Sequence, residues 1–278
     1  MPAQQVPHKL SLPDLQQLVL YTGNLMRTSL ASRTKELNKQ PNAELVHAVD
    51  DTLRLLMDSP GAPSYRYYTE HGLLEVPDLR QSSRIPAEDR NDVQVTAKLF
   101  YLSENTQHVY PPIHVDAAVN HLQKLLGVST IDTFLVSFAG DHSLKNTCQA
   151  WSALETYQQQ GVIGRLGVSD FSAQNIDEIL TNKSIKVKPS INQINVGSCC
   201  DMPKETIEHA KRNGIELLHN SDSADILSTE ELSKLLSSRA VVPKTTTVTP
   251  RWVIKYHVFV QCRSVVADKG YIVMGDAL

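Results

Sequence analysis

The stretch Gly161–Cys200, GVIGRLGVSDFSAQNIDEILTNKSIKVKPSINQINVGSCC, decides the fold. Val162 to Val168 is short and apolar, the pattern of a strand buried on both faces. Asp170 or Ser172 can cap a following helix whose Ile176, Ile179 and Leu180 share one face, with Asp177 and Glu178 near its positive end. Pro189 then precedes a second strand, Ser190–Ile194, carrying Asn192 and Gln193. Together these form one βαβ unit. Ser169–Asp170 and Asn192–Gln193 stand where two parallel strands end, which in an α/β barrel is where sites are built.

Working outward, the same alternation continues on both sides. Val93–Tyr101 is a strand carrying Lys98, and Val115–Leu126 is a helix with apolar residues at 115, 118, 119, 122, 125 and 126, closed by Gly127. Thr133–Phe138 and Leu144–Gln160 supply the next strand and helix. Pro203–Arg212, Ile215–His219 and a helix within 223–239 follow. Leu15–Leu25 holds an opening strand, and Asn42–Met57 an amphipathic helix. Residues 58–92, rich in proline and charge, are expected to be an irregular insertion in which the second barrel strand is short, displaced or missing. Val253–Val260 and Ser264–Val273 close the chain, with helix or strand open for the first. The expectation is a single (β/α)8 TIM-barrel domain over residues 1–278, with a shortened C-terminus.

Composition excludes several classes. A length of 278 residues suits one barrel, and a net charge of −3 gives no electrostatic case for nucleic acid or an anionic membrane surface. No apolar run is long enough to span a bilayer, no secretory signal is visible, and four cysteines are not a disulfide scaffold. The expectation is a reduced, cytoplasmic protein. Cys199–Cys200 is adjacent rather than C-x-x-C, and His108, His114 and His121 lack metal spacing and read as surface residues, so no metal site is expected. There is no glycine-rich phosphate loop and no serine-hydrolase elbow.

GVSDF at Gly167–Phe171, NQIN at Asn192–Asn195 and the helix with Trp151, Leu154 and Glu155 before GVIGRLG resemble the aldo-keto reductase family over roughly residues 92–220. A narrower resemblance runs nearly end to end. TGNL at Thr22–Leu25, TAKLF at Thr96–Phe100, NQINVGSCCDMP at Asn192–Pro203, and the tail with Trp252, Arg263 and Lys269–Gly270–Tyr271 are similar to the family of modifier (regulatory) subunits of glutamate–cysteine ligase. The paired cysteine after NQINVGS is its most specific element.

The first resemblance implies a reductase tetrad: a tyrosine acid whose pKa is set by a lysine and an aspartate, and a histidine that orients substrate. Only Lys98 has a matching strand position, as a vestigial catalytic lysine or a plain structural one. Ser137 and Phe138 stand where the histidine would be, and His142 lies a few residues beyond. Tyr65, Tyr67 and Tyr68 fall in the irregular insertion, and no tyrosine–aspartate pair stands in a strand-then-loop setting. Ser169, Asp170 and Gln193 resemble positions that hold a nicotinamide, but Asp170 replaces the usual Asn and no basic cluster follows Pro243–Lys244. No cofactor is expected, with weak NADPH binding left open.

The second resemblance implies a non-catalytic subunit that binds the glutamate–cysteine ligase catalytic subunit as a heterodimer, improves its glutamate affinity and relieves feedback inhibition by glutathione. Its implied contact residues are Cys199, Cys200, Trp252, Tyr256, Cys262, Arg263, Lys269 and Tyr271, since Trp, Tyr and Arg are common anchors. Trp252 and Tyr256 can equally be barrel core, the cysteine pair can be small core residues, and Cys148 reads as core. An active NADPH-dependent reductase and a nicotinamide-binding sensor are the alternatives.

Overall fold

A computed structural model describes residues 10, 12, 15–26, 42–58, 64–77, 79, 84–102, 110–140, 142–196, 204–262 and 265–278. Strand β1 (Gln17–Tyr21) and helix α1 (Ala43–Asp58) come first, then short strands β2 (Arg66–Tyr68) and β3 (Leu73–Val76). A regular alternation follows: β4 (Val93–Tyr101), α2 (Pro112–Leu126), β5 (Ile131–Phe138), α3 (Leu144–Gln159), β6 (Ile163–Ser169), α4 (Ala173–Thr181), β7 (Ile191–Asn195), α5 (Lys204–Arg212), β8 (Glu216–Asn220) and α6 (Thr229–Ser238). Two long strands, β9 (Val248–Val260) and β10 (Val265–Ala277), end the chain.

The ten strands form one mostly parallel sheet in the order β2-β3-β1-β10-β9-β4-β5-β6-β7-β8. Strands β4 to β8 pair parallel in sequence, each joined to the next through a helix, because parallel neighbours need a crossover connection. This is the α/β, aldo-keto reductase-like alternation expected from the sequence. The C-terminal pair resolves the open question as strand. β9 and β10 form an antiparallel hairpin that lies between β1 and β4, pairing antiparallel with both. The insertion near residues 58–92 contributes β2 and β3, and four-residue β3 lies parallel beside β1, on its other side from the hairpin.

Period-2 alternation gives the sheet two packed faces. On one, Ala97, Leu99, Phe134, Val136, Trp252 and Ile254 meet Val119 and Leu122 of α2 and Trp151 and Leu154 of α3. On the other, Leu18, Leu20, Phe100, Val253 and Val273 meet Leu45, Val49 and Leu53 of α1 and Leu232 and Leu236 of α6. Helix ends follow the sequence signals. Gly127 ends α2 in the left-handed region at φ 71°, and Ser172 caps α4 by accepting from Asn175 N at 3.2 Å. Ser228 and Glu231 form a reciprocal capping box on α6.

Two local expectations are corrected. His114 and His121 are not surface residues. His114 is buried and stacks on Tyr101 at 5.7 Å, and the half-buried His121 Nδ1 meets the Tyr21 hydroxyl at 2.6 Å. Burial lowers the pKa of each to about 4. Cys148 is not core but half-exposed, because the buried stripe of α3 runs through Thr147, Ala150, Trp151, Leu154 and Glu155 and passes beside it. No described helix is long and apolar enough to cross a membrane.

Candidate functional site

The chemistry-bearing side chains gather on the face of the sheet that carries Lys98. Register places Lys98 on β4 directly opposite Lys255 on β9, and Thr96 opposite His257. Lys98 also faces Leu135 of β5 in the parallel register. The ends of β7 and β8 bring Gln193, His219 and Asn220 to the same place, and the loop after β8 adds Asp222. These residues line a cavity of 280 Å³. Among the described residues, no tyrosine lines it.

Two ammonium groups share one carboxylate there. Lys255 donates to Asp222 Oδ1 at 2.7 Å, and Lys98 Nζ stands 3.6 Å from Asp222 Oδ2. Asn220 Nδ2 donates to Asp222 Oδ2 at 3.3 Å and to Gln193 Oε1 at 2.6 Å, while Asn195 Nδ2 holds the Asp222 carbonyl at 2.7 Å. Asp222 is therefore fixed by backbone and side chain at once. Burial alone would push its pKa up, but Lys255 and Lys98 outweigh that and hold it below the usual carboxylate value. Burial lowers Lys98 to about 8, opposed by Asp222 and Asp170 and assisted by Lys255. Burial, Lys255 and Lys269 bring His257 down to about 4, so its imidazole is neutral at neutral pH.

Ser169, Asp170 and Gln193 do converge, as the strand ends predicted. Ser169 Oγ donates to Asp170 Oδ2 at 3.2 Å and to the Gln193 carbonyl at 3.1 Å. Asp170 sits at φ 59° and accepts from Asn195 N at 2.6 Å. Asn192 clamps the same turn, donating to the Phe171 carbonyl at 2.8 Å and accepting from Phe171 N at 3.3 Å. The three residues are thus committed to one another and to neighbouring strands. They present a carboxylate where a nicotinamide carboxamide would meet an amide, and Gln193 Oε1 is already taken by Asn220. His142 is likewise engaged, with Nε2 at 2.7 Å from the Phe138 carbonyl and its ring stacked on Phe171.

The expected contact residues separate into three groups. Trp252, Tyr256 and Tyr271 are 1%, 2% and 3% exposed, which removes them from any surface the chain can offer; the alternation of β9 and β10 turns each into a packed face of the sheet. Tyr271 donates to Glu44 Oε1 at 2.9 Å, and Lys269 holds Glu44 Oε2 at 2.5 Å, so both secure α1 to the hairpin. Cys262 is exposed in the hairpin turn. Cys199, Cys200, Arg263 and His108 lie outside the described residues.

Sequence reasoning missed Asp222, Lys255 and His257. The signal for the last two was present in VIKYHVFV, Val253–Val260, where Lys and His alternate with apolar residues as on a half-buried strand. Asp222 carried no signal, since the loop SDSAD reads like any turn.

The sequence profile of the aldo/keto reductase family matches residues 66–224. The human glutamate–cysteine ligase regulatory subunit is 26% identical over 269 residues, covering 95% of this chain and 94% of that protein. A putative glutamate–cysteine ligase regulatory subunit of Schizosaccharomyces pombe is 24% identical, covering 94% and 96%. The 9,11-endoperoxide prostaglandin H2 reductase of Trypanosoma cruzi is 25% identical but covers only 69% of this chain and 63% of its own. A solved silkworm aldo-keto reductase in complex with NADP overlaps 45% of this chain and 40% of its own, at 26% identity and a TM-score of 0.36, too partial a match to argue from.

Proposed function

This chain belongs to the aldo/keto reductase family, and we propose that it acts as a non-catalytic regulatory subunit of glutamate–cysteine ligase, pairing with the catalytic subunit in the cytoplasm. The observation that carries this reading is the extent of the likeness. The regulatory subunits match over nearly their whole length, whereas the reductase match stops at about two thirds. The site supports it. A reductase acid must give its proton to a carbonyl oxygen, and no tyrosine lines the cavity among the described residues. Lys98 has an aspartate beside it in place of a phenol. Nothing in this role passes through a nicotinamide.

Regulation without chemistry requires differential affinity. The chain must bind the catalytic subunit's high-glutamate-affinity conformation better than its other conformation, which improves glutamate affinity and weakens inhibition by glutathione. The hairpin turn offers a contact face, with Cys262 exposed and Val265 at 53% exposure beside it. Cys199, Cys200 and Arg263 extend the proposed contact set. The test is sedimentation of the two chains mixed at equal concentration. A one-to-one complex that forms with the wild type and weakens with Cys262→Arg supports the role. Two separate species would reject it.

The second reading, an NADPH-dependent reductase, is favoured by the family membership and by the strand position of Lys98. Saturable NADPH oxidation with an aldehyde, lost in Lys98→Met, would establish it.

A further inference from the structure

We propose that the cavity between β4, β9 and the ends of β7 and β8 is a binding site for a small carboxylate, seated between Lys98 and Lys255. The inference does not rest on the regulatory role. It rests on an ammonium group that the fold buries and leaves without a hydrogen bond.

The Lys98 side chain is 5% exposed, and among the described residues its Nζ has no hydrogen-bond partner, only the ion pair with Asp222 Oδ2 at 3.6 Å. An ammonium group carries three donors and no acceptor, and leaving a buried one unbonded is costly. One side of Nζ is covered by the Phe100 ring, whose centroid is 4.7 Å away. The nearest carboxylate oxygen, Asp222 Oδ2, is 3.6 Å away and accepts from Asn220, while its other oxygen accepts from Lys255. Lys98 lines the cavity, so an acceptor placed there can reach it.

Charge and size define the occupant. Of the charged groups that line the cavity, Lys98, Lys255 and Asp222 sum to one net positive charge, and Asp170, outside the lining, also acts on Lys98, so the occupant carries at most one negative charge; burial together with Lys255 and Lys269 keeps His257 neutral. A monoanion closes this balance, whereas a phosphate dianion would leave an uncompensated negative charge beside Asp222. A volume of 280 Å³ lies below the usual ~300–1,000 Å³ of pockets that enclose drug-sized ligands, so the occupant is small. Thr96, Gln193 and His219 also line the space and offer polar groups to the rest of such a molecule. The hairpin makes the site: without β9 beside β4, neither Lys255 nor His257 would reach it.

The experiment uses the whole chain alone, so its outcome is independent of partner binding. Acetate, butyrate and inorganic phosphate are titrated at constant ionic strength against chloride, following amide and histidine chemical shifts. Acetate or butyrate should saturate shifts at His219, His257 and Gln193, with phosphate weaker. Lys98→Gln and Lys255→Gln should each weaken the carboxylate at least about tenfold, a loss of about 1.4 kcal/mol. His257→Phe keeps both lysines and narrows the cavity, so it should weaken butyrate more than acetate and guards against a Lys98 variant that fails to fold. No saturable carboxylate binding, tighter binding of phosphate, or equal binding by folded Lys98→Gln would each overturn the proposal.

Discussion

The parallel run β4 to β8 and the antiparallel hairpin β9–β10 meet at one strand, and they treat its residues differently. On the parallel side, Lys98 faces Leu135, an apolar neighbour of the kind that fills barrel-like sheets. On the hairpin side it faces Lys255 directly, and Lys255 in turn faces Tyr271. Like charges directly opposite on adjacent strands repel, so the hairpin creates an electrostatic problem that the parallel half does not have. Asp222, delivered by the loop after the last parallel strand, offsets it. The lesson is that a regular parallel skeleton can change its chemistry at a single seam, through what is paired beside it.

The largest test of that seam is Asp222→Asn. It removes the carboxylate from between two lysines that are mostly buried, and should cost about 3–5 kcal/mol, measured by urea unfolding. Adding Lys255→Met should recover part of the loss by removing the repulsion. A cost below about 1 kcal/mol, the value of an exposed pair, would break the account.

Glycine substitutions compare the two halves directly. A Cβ on Gly167 of β6 would stand 2.5 Å from Leu135 Cδ2 and 2.9 Å from the Ile191 carbonyl oxygen. A Cβ on Gly270 of β10 would meet the Tyr256 hydroxyl at 2.7 Å and Thr22 Oγ1 at 2.8 Å. Overpacking of this kind costs about 1–3 kcal/mol. Gly167→Ala should sit at the upper end, because backbone cannot yield, and Gly270→Ala lower, because side-chain ends can. Equal losses in thermal unfolding would erase the distinction. A smaller effect, about 1 kcal/mol, is expected for Ser172→Ala at the α4 cap.

The last comparison is in pH. Burial lowers Lys98 to about 8 from 10.5, so between those values the unfolded chain binds more protons than the folded one. Stability contributed through this group therefore rises with pH across that window and is flat below it. Lys98→Met should abolish the rise and, because it removes a buried ammonium group that is disfavoured in the folded chain below that window, should raise stability at neutral pH. A wild-type chain whose stability shows no such component would contradict the depressed pKa.

The parallel half was legible because its signals are local. Short apolar runs gave β4 to β8, and Gly127, Ser172 and the apolar stripe of α2 marked helix ends and faces. Ser169, Asp170 and Gln193 could be expected to converge because all three sit at strand ends. The hairpin was only half legible. The sequence leaves helix or strand open over Val253–Val260, and where β9 pairs depends on contacts between distant parts of the chain. Lys255 and Asp222 join Lys98 only through that pairing. Trp252 and Tyr256 were ambiguous for another reason: large aromatics serve interfaces and cores equally well, and only the packed sheet assigns them to the core, together with Tyr271, which was expected at the contact face.

The measurement that bears most directly on the proposed role is the steady-state rate of the glutamate–cysteine ligase catalytic subunit, with and without this chain, as glutamate and glutathione are varied. The account predicts a lower glutamate KM and weaker inhibition by glutathione when the chain is present, with no NADPH consumed. Unchanged kinetics at saturating chain concentration would contradict it.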